Sequence, residues 1–176
     1  MRTIFLDLET TGLDPVRDEI LEIGILDDDG EILLDSLVRP DRHQAWPAAQ
    51  RINGIDPVAV AAAPSFAALR PRLIEAVAGT RVVIYNASFD SGFLGTDLVG
   101  AVEVVCAMKA FAATFPDRRW RKLGVAAAHV GYEWPGNAHR AIHDCMATRA
   151  VWHWTNAQAT PIQTAPVAPC VHRTEP

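Results

Sequence analysis

No run of apolar residues in this chain approaches the roughly 20 needed to cross a bilayer as a helix, so a helical membrane span is excluded. Cysteine is scarce: Cys106, Cys145 and Cys170 are odd in number and widely scattered. They form neither a zinc-ligand pattern nor a disulfide framework, and a reducing, cytoplasmic setting is the expectation. An excess of positive charge is missing too, since 16 Lys and Arg stand against 21 Asp and Glu, a formal charge of −5. That excludes a protein that coats nucleic acid by bulk attraction. It leaves room for an enzyme that grips nucleic acid locally, because bound cations reverse the sign of an acidic site. No secretory leader is read at the N-terminus either, since Asp7 and Glu9 arrive before an apolar h-region can form. What is there is 176 residues, 49% of them apolar, enough for one domain with a sizeable core.

Thr3-Ile4-Phe5-Leu6-Asp7-Leu8-Glu9 reads as a strand, ended by the turn-prone Thr10-Thr11-Gly12. Glu19 to Leu26 is a second strand, Asp27-Asp28-Asp29-Gly30 a hairpin tip, and Glu31 to Val38 a third strand, together an antiparallel meander. Pro47 to Ile55 reads as a short helix stopped by Gly54. Pro64 and Ser65 open a longer one, with Phe66, Leu69, Leu73, Ile74 and Val77 at helical spacing and Gly79 at its end. Arg81 to Asn86 is an interior strand, a helix follows from about Ser88, and Val102 to Cys106 is a fifth strand. This alternation implies parallel pairing with right-handed crossovers. Helical segments follow around Met108–Thr114 and Lys122–Val130. A last helix, from about Arg140 to Trp154, carries Ala141, Cys145, Thr148 and Trp152 on one stripe. Residues 1–155 form the expected domain; 156–176, with Pro161, Pro166, Pro169 and Pro176, read as a flexible tail without a core.

Asp7 and Glu9 are the chemically informative pair. Residues i and i+2 of a strand share a face about 6.5–7 Å apart, so the two carboxylates project together while Ile4, Leu6 and Leu8 point the other way. Side by side among apolar neighbours they repel one another, and a hard divalent cation with oxygen ligands, Mg²⁺ or Mn²⁺, is the usual compensation. The alternative is an edge strand with both acids in water. Asp90 sits at the start of a helix after an interior strand, and Asp144 lies inside the last helix near its apolar stripe; an acid in either place alone is more often a cap or a rim residue than a ligand. His139 is five residues before Asp144, about 140° away on a regular helix, so it is placed in the loop just before the helix and leaning toward the same site. Asp117-Arg118-Arg119-Trp120-Arg121-Lys122 is the densest basic stretch. It is either a grip for phosphates with a base stacked on Trp120, or a solvated loop with Trp120 tucked under it.

Three segments then align in order. Phe5-Leu6-Asp7-Leu8-Glu9-Thr10-Thr11-Gly12-Leu13, Tyr85-Asn86-Ala87-Ser88-Phe89-Asp90 with Phe93-Leu94, and His139-Arg140-Ala141-Ile142-His143-Asp144 resemble the three exonuclease motifs of the DEDDh family. That family of 3′–5′ exonucleases includes the proofreading subunit of bacterial DNA polymerase III and ribonuclease T. Arg51-Ile52-Asn53-Gly54-Ile55 resembles the family's Ile-His-Gly-Ile segment, with Asn53 where histidine is usual. The resemblance covers about Met1 to Trp154.

The resemblance implies a ribonuclease H-like α/β domain: a mixed five-stranded sheet, first three strands antiparallel and the last two parallel to the first, flanked by helices. It implies two divalent cations, Mg²⁺ or Mn²⁺, held by Asp7, Glu9, Asp90 and Asp144, with His139 as general base and His143 as the competing histidine. It also implies substrate contacts at Thr10, Leu13, Ile55, Asn86 and Phe93, of which Leu13, Ile55 and Phe93 wedge against terminal bases. The expected reaction is release of nucleoside 5′-monophosphates from single-stranded DNA or RNA 3′ ends. The tail is a candidate for binding a polymerase or another protein. A docking subunit without catalysis is the competing reading, opposed by the intact acids.

Overall fold

The computed structural model describes residues 1–135 and 139–159. β1 (Thr3–Thr10), β2 (Ile20–Asp27) and β3 (Ile32–Leu37) form the antiparallel meander. β4 (Arg81–Ile84) pairs parallel to β1, and β5 (Glu103–Cys106) parallel to β4, giving the order β3-β2-β1-β4-β5. Helices cover both faces, and the alternation of β1 distributes the core between them. Ile4, Leu6 and Leu8 pack with Leu69, Leu73 and Val77 of α3 (Phe66–Val77), the third helix after α1 (Pro47–Asn53) and α2 (Pro57–Val60). Phe5 points the opposite way, onto Phe111 of α5 (Ala107–Ala113) and Ile142 and Val151 of α7 (Ala141–Ala159). Asp7 and Glu9 continue the Phe5 line, and so face α7. α4 (Ala87–Leu94) and α6 (Leu123–His129) complete the layers.

Local chemistry explains most boundaries. Pro47 starts α1, and Gly54 ends it in the left-handed region at φ 70°, where a side chain is strained. Ser65 caps α3, its hydroxyl accepting from the Ala68 amide at 3.4 Å. Two short pieces fall outside the expected elements: α2, capped by the Asp56 carboxylate accepting from Ala59 at 2.8 Å, and a 3₁₀ turn at Gly95–Leu98. Each is four residues long, too short to repeat a helical period. The last helix runs on to Ala159, so the expected boundary at 155/156 falls inside it. Thr155 is buried there, its hydroxyl donating to the Val151 carbonyl. The tail residues 160–176 lie outside the described residues. Among the described residues, no helix is long and apolar enough to cross a membrane.

One glycine decides where α7 begins. A Cβ on Gly24 of β2 would stand 2.6 Å from the Ala141 carbonyl carbon and the Ile142 nitrogen. Only a bare backbone lets the helix start approach this closely. Gly24 is also the partner of Asp7 in the β1–β2 register, so the first turn of α7 is brought over Asp7.

Candidate active site

Four acids arrive at one end of the sheet from three elements. β1 supplies Asp7 and Glu9, the first turn of α4 supplies Asp90, and the first turn of α7 supplies Asp144. Asp90 is buried and fastened directly to β1, its Oδ1 accepting from the Leu8 amide at 3.1 Å, between the two strand acids. Asp144 turns back to accept from the His139 amide at 3.4 Å. His139 lies in the loop ahead of α7, as its spacing predicts, with a left-handed φ of 66° that a non-glycine residue seldom adopts. Glu9, His139 and Asp144 each offer an atom able to ligate a metal ion, and these atoms lie within 4.8 Å of one another.

Crowding and desolvation raise every one of these carboxyls. Asp7 is pushed well above its ordinary value by burial first, then by the charges of Asp90, Asp144, Glu9 and Glu22. Burial carries Glu9 to about 8, with Asp144 adding to the rise and a hydrogen bond from Asn53 opposing it. Asp90 is raised to about 7, chiefly by burial, although backbone amides favour its charged form. Asp144 is raised by burial, and His139 and His143 pull against that rise. Such a set of oxygen donors takes up positive charge, as protons or as hard cations, and the chemistry of the donors fits Mg²⁺ or Mn²⁺.

Two residues that the sequence reading passed over hold the arrangement. Glu22 of β2 has no exposed surface and pairs across the sheet with Glu9. Its Oε1 accepts from Arg140 Nε at 2.8 Å and from a terminal guanidinium nitrogen at 2.6 Å, and its Oε2 accepts from the Ala141 amide at 3.0 Å. The carboxylate therefore caps the start of α7 and clamps the residue next to His139. A charged residue inside the apolar run Ile20 to Leu26 was the signal for it.

Beside Glu9 opens a cavity of about 330 Å³, lined by Thr10, Leu13, Ile52, Asn53 and Phe89 among others. Leu13 is 82% exposed and Ile52 64%, so both present apolar surface to whatever enters. Thr10 lines the cavity with its hydroxyl turned onto the Gly12 carbonyl at 2.6 Å. Asn86 is exposed at the start of α4, where its side-chain oxygen accepts from Ser88. Two residues expected to contact substrate do not line this cavity. Ile55 is 4% exposed and packs with Leu21, Trp46 and Val60, while its carbonyl accepts from the Trp46 indole at 2.7 Å. Past the left-handed Gly54 the chain dives inward, and Ile52 takes the exposed position instead. Phe93 packs against the core and lines a different cavity, beside Pro15 and Phe66; Phe89, one turn earlier on α4, faces the acids' cavity. Asn53, in the histidine's place, is buried. It donates to the Thr10 carbonyl at 3.4 Å and accepts from the Ile55 amide at 3.1 Å.

Comparison with known proteins bears on the family and the fold. The exonuclease family described as RNase_T matches residues 4–152. An uncharacterized exonuclease, CP81, of Escherichia phage 186 is 34% identical over 167 residues, covering 84% of each chain. The DNA polymerase III subunit epsilon of Rickettsia felis is 33% identical over 103 residues, 56% of this chain and 44% of that protein. Among solved structures, exonuclease X in complex with 5′-overhanging duplex DNA superposes with a TM-score of 0.72 at 28% identity, over 90% of this chain and 94% of that one.

Proposed function

The chain belongs to the RNase_T exonuclease family and is a 3′–5′ exonuclease, and from that premise we propose that it trims single-stranded ends to nucleoside 5′-monophosphates with Asp7, Glu9, Asp90, Asp144 and His139. The observation that carries the assignment of these residues is the convergence of four carboxyls, each raised by burial, beneath one histidine.

Asp7, Glu9, Asp90 and Asp144 would hold two divalent cations. When bound, these supply the positive charge that polarises the scissile phosphate and steadies the leaving oxygen. The terminal nucleotide occupies the cavity beside Glu9, with its base against Leu13, Ile52 and Phe89. His139, exposed at the rim, takes a proton from the attacking water on its ring nitrogen. The water oxygen bonds to phosphorus, the bond from phosphorus to the penultimate 3′ oxygen breaks, and that oxygen leaves as an alkoxide that takes a proton from solvent water to become the 3′ hydroxyl of the shortened strand, while His139 returns its proton to solvent. Asp144 orients His139 through the backbone bond between them, and Glu22 with Arg140 keeps both at the start of α7. The DNA bound to exonuclease X makes DNA the first polymer to test.

The test is digestion of 3′- and 5′-labelled single strands of DNA and RNA with Mg²⁺ or Mn²⁺, beside EDTA controls. Mononucleotides should leave the 3′ end, Asp7→Ala should abolish the release, and His139→Ala should slow it about 100- to 10,000-fold. Release that persists undiminished in both variants would overturn the residue assignment.

A further inference from the structure

The basic stretch between α5 and α6 is built outward. Trp120 is 69% exposed, an unusual place for the largest apolar side chain, and Arg118, Arg119 and Lys122 around it are exposed as well. The alternative in which Trp120 is tucked beneath the loop does not occur. Among the described residues, none of those three cations is held in an ion pair, whereas Arg121 is fully engaged. Its guanidinium sits 4.1 Å over the Phe115 ring and 3.2 Å from an Asp117 carboxylate oxygen. The Arg121 side chain also donates to the Arg119 carbonyl at 2.7 Å, and Arg118 turns the backbone at a left-handed φ of 48°. The loop is thus braced from within while its stacking and charged groups face water.

Its position follows from one further bond. The Tyr85 hydroxyl donates to the Arg121 carbonyl at 2.7 Å. Tyr85 directly follows β4, at the end of the sheet where Asn86 leads into α4, which carries Asp90 into the acid cluster. The loop is therefore tied, within the length of one tyrosine side chain, to the same rim as the acids. A chain with formal charge −5 places three unpaired cations and a bare indole on that rim.

We propose that Trp120, Arg118, Arg119 and Lys122 form a second binding surface for the single strand, upstream of the nucleotide being removed. A base of the incoming strand stacks on Trp120, and its flanking phosphates lie against the three cations. An unpaired base offers the ring face this needs, which a base inside a duplex does not. The bracing by Arg121 and Tyr85 removes ordering that binding would otherwise have to impose. The proposal rests on the exonuclease reading for what the strand is doing there, but the contact can be measured without any hydrolysis.

A labelled single strand of about 12 nucleotides, within the ~4–16 that such surfaces cover, is titrated in EDTA by fluorescence anisotropy. Wild type is compared with Trp120→Ala, Trp120→Phe, the triple variant Arg118→Ser/Arg119→Ser/Lys122→Ser, and Arg72→Ala on the far α3 face as the charge control. Trp120→Ala should weaken binding about tenfold, Trp120→Phe should recover most of it, and Arg72→Ala should match wild type. The triple variant should flatten the slope of log affinity against log salt by about 2, the value for three phosphate contacts on a single strand. With Mg²⁺ present, Trp120→Ala should raise KM for the same strand several times more than KM for a dinucleotide. Binding and slope unchanged in the Trp120 and triple variants would overturn the surface. Wild type that binds through Trp120 yet releases no nucleotide would overturn the exonuclease reading and leave the surface standing.

Discussion

Glu22 and Arg140 are unequal partners. The carboxylate has no exposed surface, while the arginine side chain is 45% exposed. Removing the arginine strands a buried charge with, among the described residues, only the Ala141 amide to satisfy it; removing the acid leaves a cation that water can still reach. Arg140→Met should therefore destabilise by about 3–5 kcal/mol, and Glu22→Gln by clearly less, with urea unfolding as the measure. Equal losses would show that packing rather than charge is at stake. The convergence of the four acids proposed above was legible in the sequence because strand spacing and three ordered motifs announce them. Glu22 was legible only as an anomaly within an apolar run, and its partner lies 118 residues away. Ile55 and Phe93 lie away from the cavity for a different reason. Both are apolar residues in the right motifs, and which of several apolar neighbours faces the cavity is set by a left-handed glycine and by helix rotation, not by residue type.

The elements that matter most are β1 and α7, and their spacing depends on Gly24. A methyl group there meets helix backbone, which cannot yield as a side-chain tip would. Gly24→Ala should push the start of α7 outward, costing about 1–3 kcal/mol by overpacking, and it should lower kcat because Asp144 moves with the helix. Thermal unfolding and steady-state kinetics together check this; a stability loss with kcat unchanged would separate the helix position from the chemistry. The strands were legible from alternation and the long helices from periodicity, including the Ser65 cap. α2 and the 3₁₀ turn were not, since four residues are stabilised by a cap and by tertiary contacts that no local pattern records. The close approach at Gly24 was invisible too, because a glycine inside a strand does not say what lies above it.

For the molecule as a whole, the raised carboxyls set a pH dependence with a definite sign. Glu9 binds its proton up to about pH 8 when folded, against an ordinary value of 4.5. Between those values the folded state holds more protons than the unfolded one, so stability falls as pH rises through the window. Asp90, raised to about 7, acts in the same direction. Metal-free protein in EDTA should lose Tm steadily from about pH 5 to 8. Mn²⁺ should restore it, by more at pH 8 than at pH 5, because the ion replaces protons that are already gone. A Tm that rises with pH in EDTA would contradict the crowding of these acids.

The bond from Asp90 to the Leu8 amide and the seat of α7 on Gly24 also bear on how the protein is made. Asp7 and Glu9 leave the ribosome first, and Asp144 is translated more than 130 residues later, on the helix that closes the sheet's second face. With the roles proposed above, a chain halted by a stalled ribosome or a premature stop ahead of the His139 loop carries three of the acids and neither His139 nor Asp144. A partial product of this gene would be unable to cut nucleic acid while still attached to its own message, and cleavage would begin only once synthesis had passed the final helix.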